Sequence, residues 1–482
     1  MNEPISFDAV KLCATHRVKF FHTPTNEAFA TLSTGGHIEH WPVESGTFQD
    51  WLSKVAYQKY HRAPSETAVK SNLSILKAKA IFEGEEHHVH YRLASVDDAI
   101  FVDLGNAKWE AIKVTSDGWC VVKKPPVKFR RSRQMKALPN PVKNGGFGGL
   151  KKLINIGSER NWKMAIAWLI GTLHPTGPYP VLMIQGEQGT AKSTMTRFLR
   201  DIIDPSEVPL HSTPKSEQDL MIMANNSRVL AFDNVSQIKD WFSDALCRLS
   251  TGGGMLTRKY YTNSDEVTFQ AKCPVVLNGI EDLASRADLA DRALILELEP
   301  IAATNRMPEA ELWRQFQMAC PLLLGALLDA VSVALGDRSS IQIDELPRMA
   351  DFAIWVSAAE SKLPWKEGGF LEVYKENRAE ATHDLLEASS LMAELKRVVK
   401  GIFCDSATQL LKALEPFVRD GKNSEPWAKS ASSLSRELRR IATAARTVGI
   451  DIRFSREGHG GKKIITIRMP DESEADRLLK VA

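Results

Sequence analysis

The stretch Val181-Leu182-Met183-Ile184-Gln185-Gly186-Glu187-Gln188-Gly189-Thr190-Ala191-Lys192-Ser193-Thr194-Met195-Thr196 decides how this chain is read. Its apolar run, Val181 to Ile184, predicts a buried strand; a Gly-bearing turn follows, and Lys192-Ser193 opens a helical pattern. Strand, Gly-rich loop and helix in that order make a phosphate cradle. Gly186 and Gly189 let backbone N–H groups approach phosphate oxygens, and the helix N-terminus favours their negative charge. On this reading the loop from Gly186 through Glu187, Gln188, Gly189, Thr190 and Ala191 to Lys192, Ser193 and Thr194 binds ATP. Lys192 reaches the β- and γ-phosphates, and the Ser193 hydroxyl holds Mg²⁺. Ala191 stands where the pattern G-x-x-x-x-G-K-[ST] has its last Gly. Ala adopts most helix-entry conformations, so the loop is expected to keep its shape. A plain strand–helix turn with a surface Lys is the alternative, and the flanking context weighs against it.

Working outward, Ser227-Arg228-Val229-Leu230-Ala231-Phe232-Asp233-Asn234 reads as an apolar strand ending in an acid, 41 residues after Lys192. That separation suits a neighbouring or next-but-one strand of one sheet, and an acid at the carboxyl end of such a strand can hold Mg²⁺ with Ser193. Buried strands often end in an Asp turn, but the pairing with Lys192 weakens that blander reading. Cys273 to Gly279 is another apolar strand, ending at Asn278, an amide placed to orient a water near the γ-phosphate. Arg292 precedes a last strand, Ala293–Leu298, and Arg286 is a second cation there, with a salt bridge to Asp288 or Asp291 as the plain alternative. Asn234 follows Asp233 where an acid often polarises water. An amide is no general base, so hydrolysis is slow or falls to Glu187, or to Asp288 or Asp291 of a neighbouring subunit.

The ordered set Gly186, Lys192-Ser193, Asp233, Asn278 and Arg292 resembles superfamily 3 helicases and the ATPase half of phage and poxvirus-type primase–helicases. It looks like the related ATPase proteins of prophages and integrative elements. The resemblance covers roughly residues 150–300 and extends loosely to both flanks. It implies an α/β fold with an AAA+-like P-loop ATPase core, an N-terminal α+β domain and a C-terminal winged helix. It also implies a ring oligomer, a hexamer, that hydrolyses ATP to move along or unwind DNA, with Arg292 reaching the neighbouring subunit's nucleotide. Between Asp233 and Asn278, Leu249 to Tyr261 and Glu266 to Phe269 read as a β-hairpin. In the resembled helicases such a hairpin grips single-stranded DNA in the pore. Here Arg258 and Lys259 would pair with phosphate, and Tyr260 and Tyr261 would stack on bases.

The remaining sequence divides into residues 1–122, an α+β accessory domain; 123–149, a basic linker; 150–335, the ATPase domain; 336–404, a helical connector; and 405–482, a winged-helix-like domain. In the first, His88 and His90 share a strand face without a third ligand, so a solvated strand is expected there rather than a metal site. No acid triad for primer synthesis is evident in it. From Gly118 to Ser158 there are ten Lys or Arg residues and no Asp or Glu. Lys123, Lys124, Pro125, Pro126 and Lys128 suggest an extended linker able to track a phosphate backbone. At the far end, Ser433–Arg446 is an amphipathic helix striped by Leu434, Leu438, Ile441, Ala442 and Ala445, with Arg436, Arg439 and Arg440 elsewhere on its surface. Two strands flank Lys462 and Lys463. Helix plus basic wing resembles a winged helix, with Arg436 and Arg440 placed for a major groove and the two lysines for phosphates.

Composition sets the outer bounds. In 482 residues, 43% are hydrophobic and 25% charged, an ordinary globular balance, and the net charge of +3 decides nothing. Six scattered cysteines without a C-x-x-C argue against a zinc or disulfide framework and for a reducing cytoplasm. The polar, acidic N-terminus is unlike a secretory signal, and the apolar stretch Pro321 to Leu335 is short for a membrane span and carries Asp329. No membrane partner is expected. Two rival readings share the same motifs: an ATP-driven regulatory or defence switch, which needs no pore hairpin, and a poorly hydrolysing DNA-binding replication initiator.

Overall fold

The structure, a computed structural model, describes residues 7–258, 266–270, 272–280, 286–418, 430–457 and 461–470. Its first unit comprises α1 (Ala9–Thr15), β1 (Lys19–His22), β2 (Ala28–Thr34), β3 (His37–Pro42), α2 (Gly46–Tyr60), α3 (Glu66–Glu83) and β4 (Glu85–Glu86). Strand order is β3-β2-β1-β4. Phe48, Leu52 and Ala56 form one stripe on α2, and Val69, Leu76 and Ala80 one on α3. Both bury against Ala28, Ala30 and Leu32 of β2, so this unit has its own core. Ser45 and Ser65 cap the two helices by accepting from the N–H of Phe48 and Ala68.

Next come β5 (Val89–Tyr91), an antiparallel meander of β6 (Leu93–Val96), β7 (Ala99–Asp103), β8 (Ala111–Thr115) and β9 (Gly118–Val122), and β10 (Lys128–Arg130). The meander does not share the first core. Ile100, Val102, Ile112, Val114 and Trp119 belong to the core of the central sheet instead.

Residues 123–149, expected as an extended basic linker, are docked. β10 pairs in parallel with β5, and Val127 and Phe129 are buried with Ala94, Phe101 and Ala111. Arg131 grips both Asp103 carboxylate oxygens, at 2.8 and 2.6 Å. Leu138 and Phe147 enter the central core. The apolar residues scattered among the cations supply the burial that composition alone concealed.

The central unit contains α4 (Gly148–Leu153), α5 (Glu159–Thr172), β11 (Val181–Gly186), α6 (Lys192–Ile203), α7 (Glu217–Asn225), β12 (Leu230–Phe232), α8 (Asp240–Thr251), β13 (Gly254–Arg258), β14 (Glu266–Gln270), β15 (Val275–Asn278), α9 (Ala287–Ala290), β16 (Ala293–Leu298), α10 (Glu309–Asp337), α11 (Ala350–Ala359) and α12 (Gly369–Glu387). Four strands form a parallel sheet in the order β12-β15-β11-β16. Period-two alternation divides them cleanly between two faces. Leu182, Ile184, Val276, Leu294 and Leu296 face one core, with the helices α5, α6, α10 and α11. Val181, Met183, Leu230, Phe232, Val275, Leu277 and Ile295 face the other, with α7 and α8. Both faces are therefore apolar, as a parallel sheet requires.

α10 runs 29 residues, longer than the apolar stretch that marks it, and is long and apolar enough by composition to cross a membrane. Its apolar window is 61% buried within the protein. Asp329, the charge within it, accepts from the Trp119 indole at 2.7 Å. Val142 N–H donates to the Pro321 carbonyl at 3.0 Å, and at Gly325 a Cβ would lie 1.8 Å from the Val142 carbonyl oxygen. Glycine is what lets the docked segment lie on this helix. A buried ion pair also fastens the meander to the sheet: Arg92 Nε to Asp204 Oδ1, 3.0 Å, with each side chain no more than 2% exposed.

The last unit is α13 (Ser390–Val398), β17 (Ile402–Asp405), α14 (Ala407–Val418), α15 (Ala431–Thr447), β18 (Asp451–Glu457) and β19 (Lys462–Arg468). β19 lies between β17 and β18 in an antiparallel sheet. The apolar stripe of α15 is buried against Leu410, Leu414, Ile452 and Ile467.

Candidate functional site

At the carboxyl end of β11 the chain turns sharply into α6. Gly186 has φ +145°, and a Cβ there would meet the Leu298 carbonyl oxygen at 2.5 Å. Gly189 has φ +86°. Glu187, Gln188 and Gly189 are exposed at the crest of the loop. Ala191, at the N-cap, has φ +63° and ψ +29°, the left-handed region, and gives no side-chain cap. The strand–loop–helix forms with Ala at this position, but in a left-handed conformation that strains an L-residue by about 1–2 kcal/mol. The N–H groups of the first turn of α6, Lys192 to Thr194, have no partner within the helix. They remain a donor set for an anion.

Lys192 Nζ donates to the carbonyls of Gly186 (2.7 Å) and Glu187 (2.6 Å). Burial lowers its pKa below the ordinary lysine value, and Asp233 opposes that shift. Ser193 Oγ donates to Asp233 Oδ1 at 2.7 Å. A hydroxyl and a carboxylate meeting at that distance are hard oxygen donors of the kind Mg²⁺ takes. The separation expected between Lys192 and Asp233 resolves as next-but-one, with β15 interposed between β11 and β12.

Asn278 sits on that interposed strand, 1% exposed. Its Nδ2 donates to Thr196 Oγ1 at 2.9 Å, and its Oδ1 accepts from Asn234 N–H at 3.1 Å. Its amide therefore ties α6 to the turn after Asp233, which makes it a positioning residue in this geometry. Asn234 itself has φ +53°, a conformation in which Asn is enriched among non-glycine residues. That backbone requirement explains an amide at this position.

Two contributors escaped sequence reasoning. Thr196 is fully buried and receives Asn278, and the visible signal was a hydroxyl on the apolar face of α6. Asn155 Nδ2 donates to the Thr190 carbonyl (3.1 Å) and the Glu299 carbonyl (2.6 Å), fastening the loop to the end of β16. Nothing local marked it.

Arg292 is not part of this cluster. It precedes β16 at the edge where Ala293 pairs with Val181, whereas the loop begins where Leu298 pairs with Gly186. Six strand residues separate the two, about 20 Å. There Arg292 Nη1 donates to the Asp288 carbonyl at 2.6 Å, and its buried Nε has no partner among the described residues. Arg286 is held by Asp240, Asp244 and Asp288, and Asp291 by Arg348 and Arg378. Asp288 and Asp291, considered as bases acting between subunits, are both engaged by cations of their own chain.

The hairpin expected between Asp233 and Asn278 forms as β13 and β14, antiparallel, with Arg258 opposite Glu266. Lys259, Tyr260 and Tyr261 lie outside the described residues. In the last unit, Arg436 is exposed and Arg439 stacks 3.9 Å from the Phe454 ring centroid. Arg440 lines a cleft shared with Arg286, Asp288 and Leu385, because α15 packs against α9 and α12. The helix expected to enter a major groove thus has one flank closed by the central unit. Lys462 and Lys463 stand opposite Glu457 and Arg456 in the β18–β19 ladder, and Lys463 is exposed.

Among solved structures, an apo form of the NrS-1 C-terminal region has 13% sequence identity and a TM-score of 0.42, covering 97% of this chain and 100% of that one. A second apo form gives 14% and 0.41 with the same coverage. No curated protein matches the chain. Residues 148–366 match the family model of the actinomycete integrative conjugative element replication protein. Residues 387–477 match the model of the RepA C-terminal domain from the same elements. Both stretches, which together make up most of the chain, are thus similar to RepA replication proteins of actinomycete integrative conjugative elements.

Proposed function

We propose that the chain is an ATP-dependent DNA helicase or translocase serving replication of such an element, with an AAA+-like P-loop core working in a ring oligomer. The observation that carries this reading is the convergence of the uncapped α6 N-terminus, Lys192 and the Ser193–Asp233 pair at the carboxyl end of a parallel sheet. The loop N–H groups and Lys192 bind and orient the phosphates, exchanging the loop carbonyls for phosphate oxygens. Ser193 and Asp233 would hold Mg²⁺, which when bound neutralises charge building on the transferred phosphoryl group. Asn278 keeps the turn after Asp233 fixed against α6. Arg292 lies about 20 Å from its own loop, so the role that the resemblance implies for it requires an adjacent subunit, and the ring is part of this reading.

The β13–β14 hairpin and the order helix–strand–helix–helix–strand–strand of the last unit, read as a winged helix, supply the DNA-facing parts. A poorly hydrolysing initiator is the second reading, favoured by Asn234 where a base would stand. DNA-stimulated ATP hydrolysis measured alongside mass in solution tests both. A DNA-stimulated oligomer is expected, and Arg258→Ala with Lys259→Ala should keep basal hydrolysis while losing the stimulation. Nucleotide binding without turnover would favour the initiator, and stimulation that survives the hairpin change would remove the pore hairpin from the account.

A further inference from the structure

A cleft of about 790 Å³ opens between the first unit and residues 123–129. The register of the first sheet builds one wall: Lys19 pairs with Thr31, Thr31 with His40, and Ser33 with Ile38. Directly opposite residues share a face, so a cation, hydroxyls and an imidazole form a row across three strands. Buried Phe21, on the same face of β1 as Lys19, supplies an aromatic floor together with Trp109 and Phe129. Lys128 Nζ lies 4.5 Å from the Phe21 ring centroid.

Charge in the cleft is one-sided. Arg17, Lys19, Lys123, Lys124 and Lys128 line it, and none of the five makes an ion pair with a described residue. The carboxylates present, Glu83 and Glu85, are engaged by Lys79 and His87. Burial lowers the pKa of Lys128, with Glu85 pulling the other way, so an anion arriving here would be welcomed by an under-compensated ammonium. The segment bearing Lys123 and Lys124 is also held in place. Pro125 and Pro126 fix their backbone, and Val127 and Phe129 are anchored at 5% and 3% exposure. Less ordering entropy is lost when such cations bind.

We propose that this cleft binds a single strand of DNA, its phosphates on the Arg17–Lys19 and Lys123–Lys124 pairs and its bases against the aromatic and hydroxyl-bearing wall. A chain alternating phosphate with flat base matches both features, whereas an acidic peptide uses the cations and leaves the aromatic floor unmatched. The volume is that of a small-ligand pocket, whereas a duplex is engaged through its grooves. The proposal does not rest on the nucleotide-loop reading.

Anisotropy of a labelled oligo-dT of about 16 nucleotides, with the full chain and no nucleotide added, reads it directly. Each of the double variants Lys123→Ala/Lys124→Ala and Arg17→Ala/Lys19→Ala should weaken binding. Each should also flatten the slope of log affinity against log salt by about 1.4, since each phosphate contact on a single strand contributes about 0.7. All four side chains are exposed, so melting behaviour should stay with the parent. Unchanged slope and affinity in both variants overturns the proposal, as does polyglutamate competing as well as unlabelled oligo-dT. Lys192→Ala should leave this binding intact, so failure of the ATPase reading and failure of the cleft give different results.

Discussion

Replacing Ala191 by Gly tests the loop through the sign of one free energy. At φ +63° an L-residue pays about 1–2 kcal/mol that Gly does not. Gly gives back about 0.5–1 kcal/mol through the greater freedom of its unfolded chain. The net expectation is a gain of about 0–1.5 kcal/mol, or up to roughly 6 °C in the melting temperature of the central unit. Ala191→Val should move the other way, since a β-branched residue fits the left-handed region worse than Ala. Differential scanning fluorimetry of the nucleotide-free protein reads both variants, and a nucleotide titration follows the same ranking if the strained conformation is the binding one. Were residue 191 an ordinary helical residue, Gly would instead destabilise by about 1 kcal/mol. A melting temperature that falls on Ala191→Gly therefore refutes the left-handed cap and the strain inferred from it.

Lys192→Ala removes the loop's cation, and the loss of charge-assisted hydrogen bonds worth about 1.5–3 kcal/mol should weaken ATP binding roughly 10- to 150-fold, measured by titration with a fluorescent nucleotide; parental affinity would sink the site assignment. Arg92→Met leaves Asp204 buried without its cation and should cost about 3–5 kcal/mol, read as an early unfolding transition; an unshifted transition would show that the pair does not hold the meander to the sheet. Arg292→Ala should bind ATP normally yet turn over about 10³-fold or more slowly, and mixing it with Lys192→Ala subunits should restore part of the activity at shared interfaces. Specific activity independent of protein concentration in that mixture would contradict action between subunits.

Much of the site was legible because its signals are contiguous. The strand–loop–helix, the acid closing β12 and the amide closing β15 each occupy a short window in which period-two burial and glycine spacing speak for themselves. What these residues do to one another was less visible. Asn278 reads locally as a group facing a water, but packing commits its amide to Thr196 and Asn234. Asn234 reads as a missing base, and the backbone angle gives a separate reason for an amide there. The basic segment at 123–149 reads as a linker because charge dominates its composition, although its few apolar side chains decide where it goes.

By itself, then, the sequence determined the parallel strands, the phosphate-type loop, the order of acid, amide and arginine behind it, and the amphipathic α15. Tertiary structure alone decided that Ala191 is held left-handed and that Arg292 stands at the edge away from its own loop. It also decided that α15 closes one flank on α9 and that the meander shares the core of the sheet. The reason is separation along the chain. Local periodicity is fixed by neighbours a few residues apart, whereas the contacts that seat these pieces join Arg92 to Asp204 across 112 residues and Trp119 to Asp329 across 210. Such pairings become favourable only when the whole core closes, and no short window of sequence contains both partners.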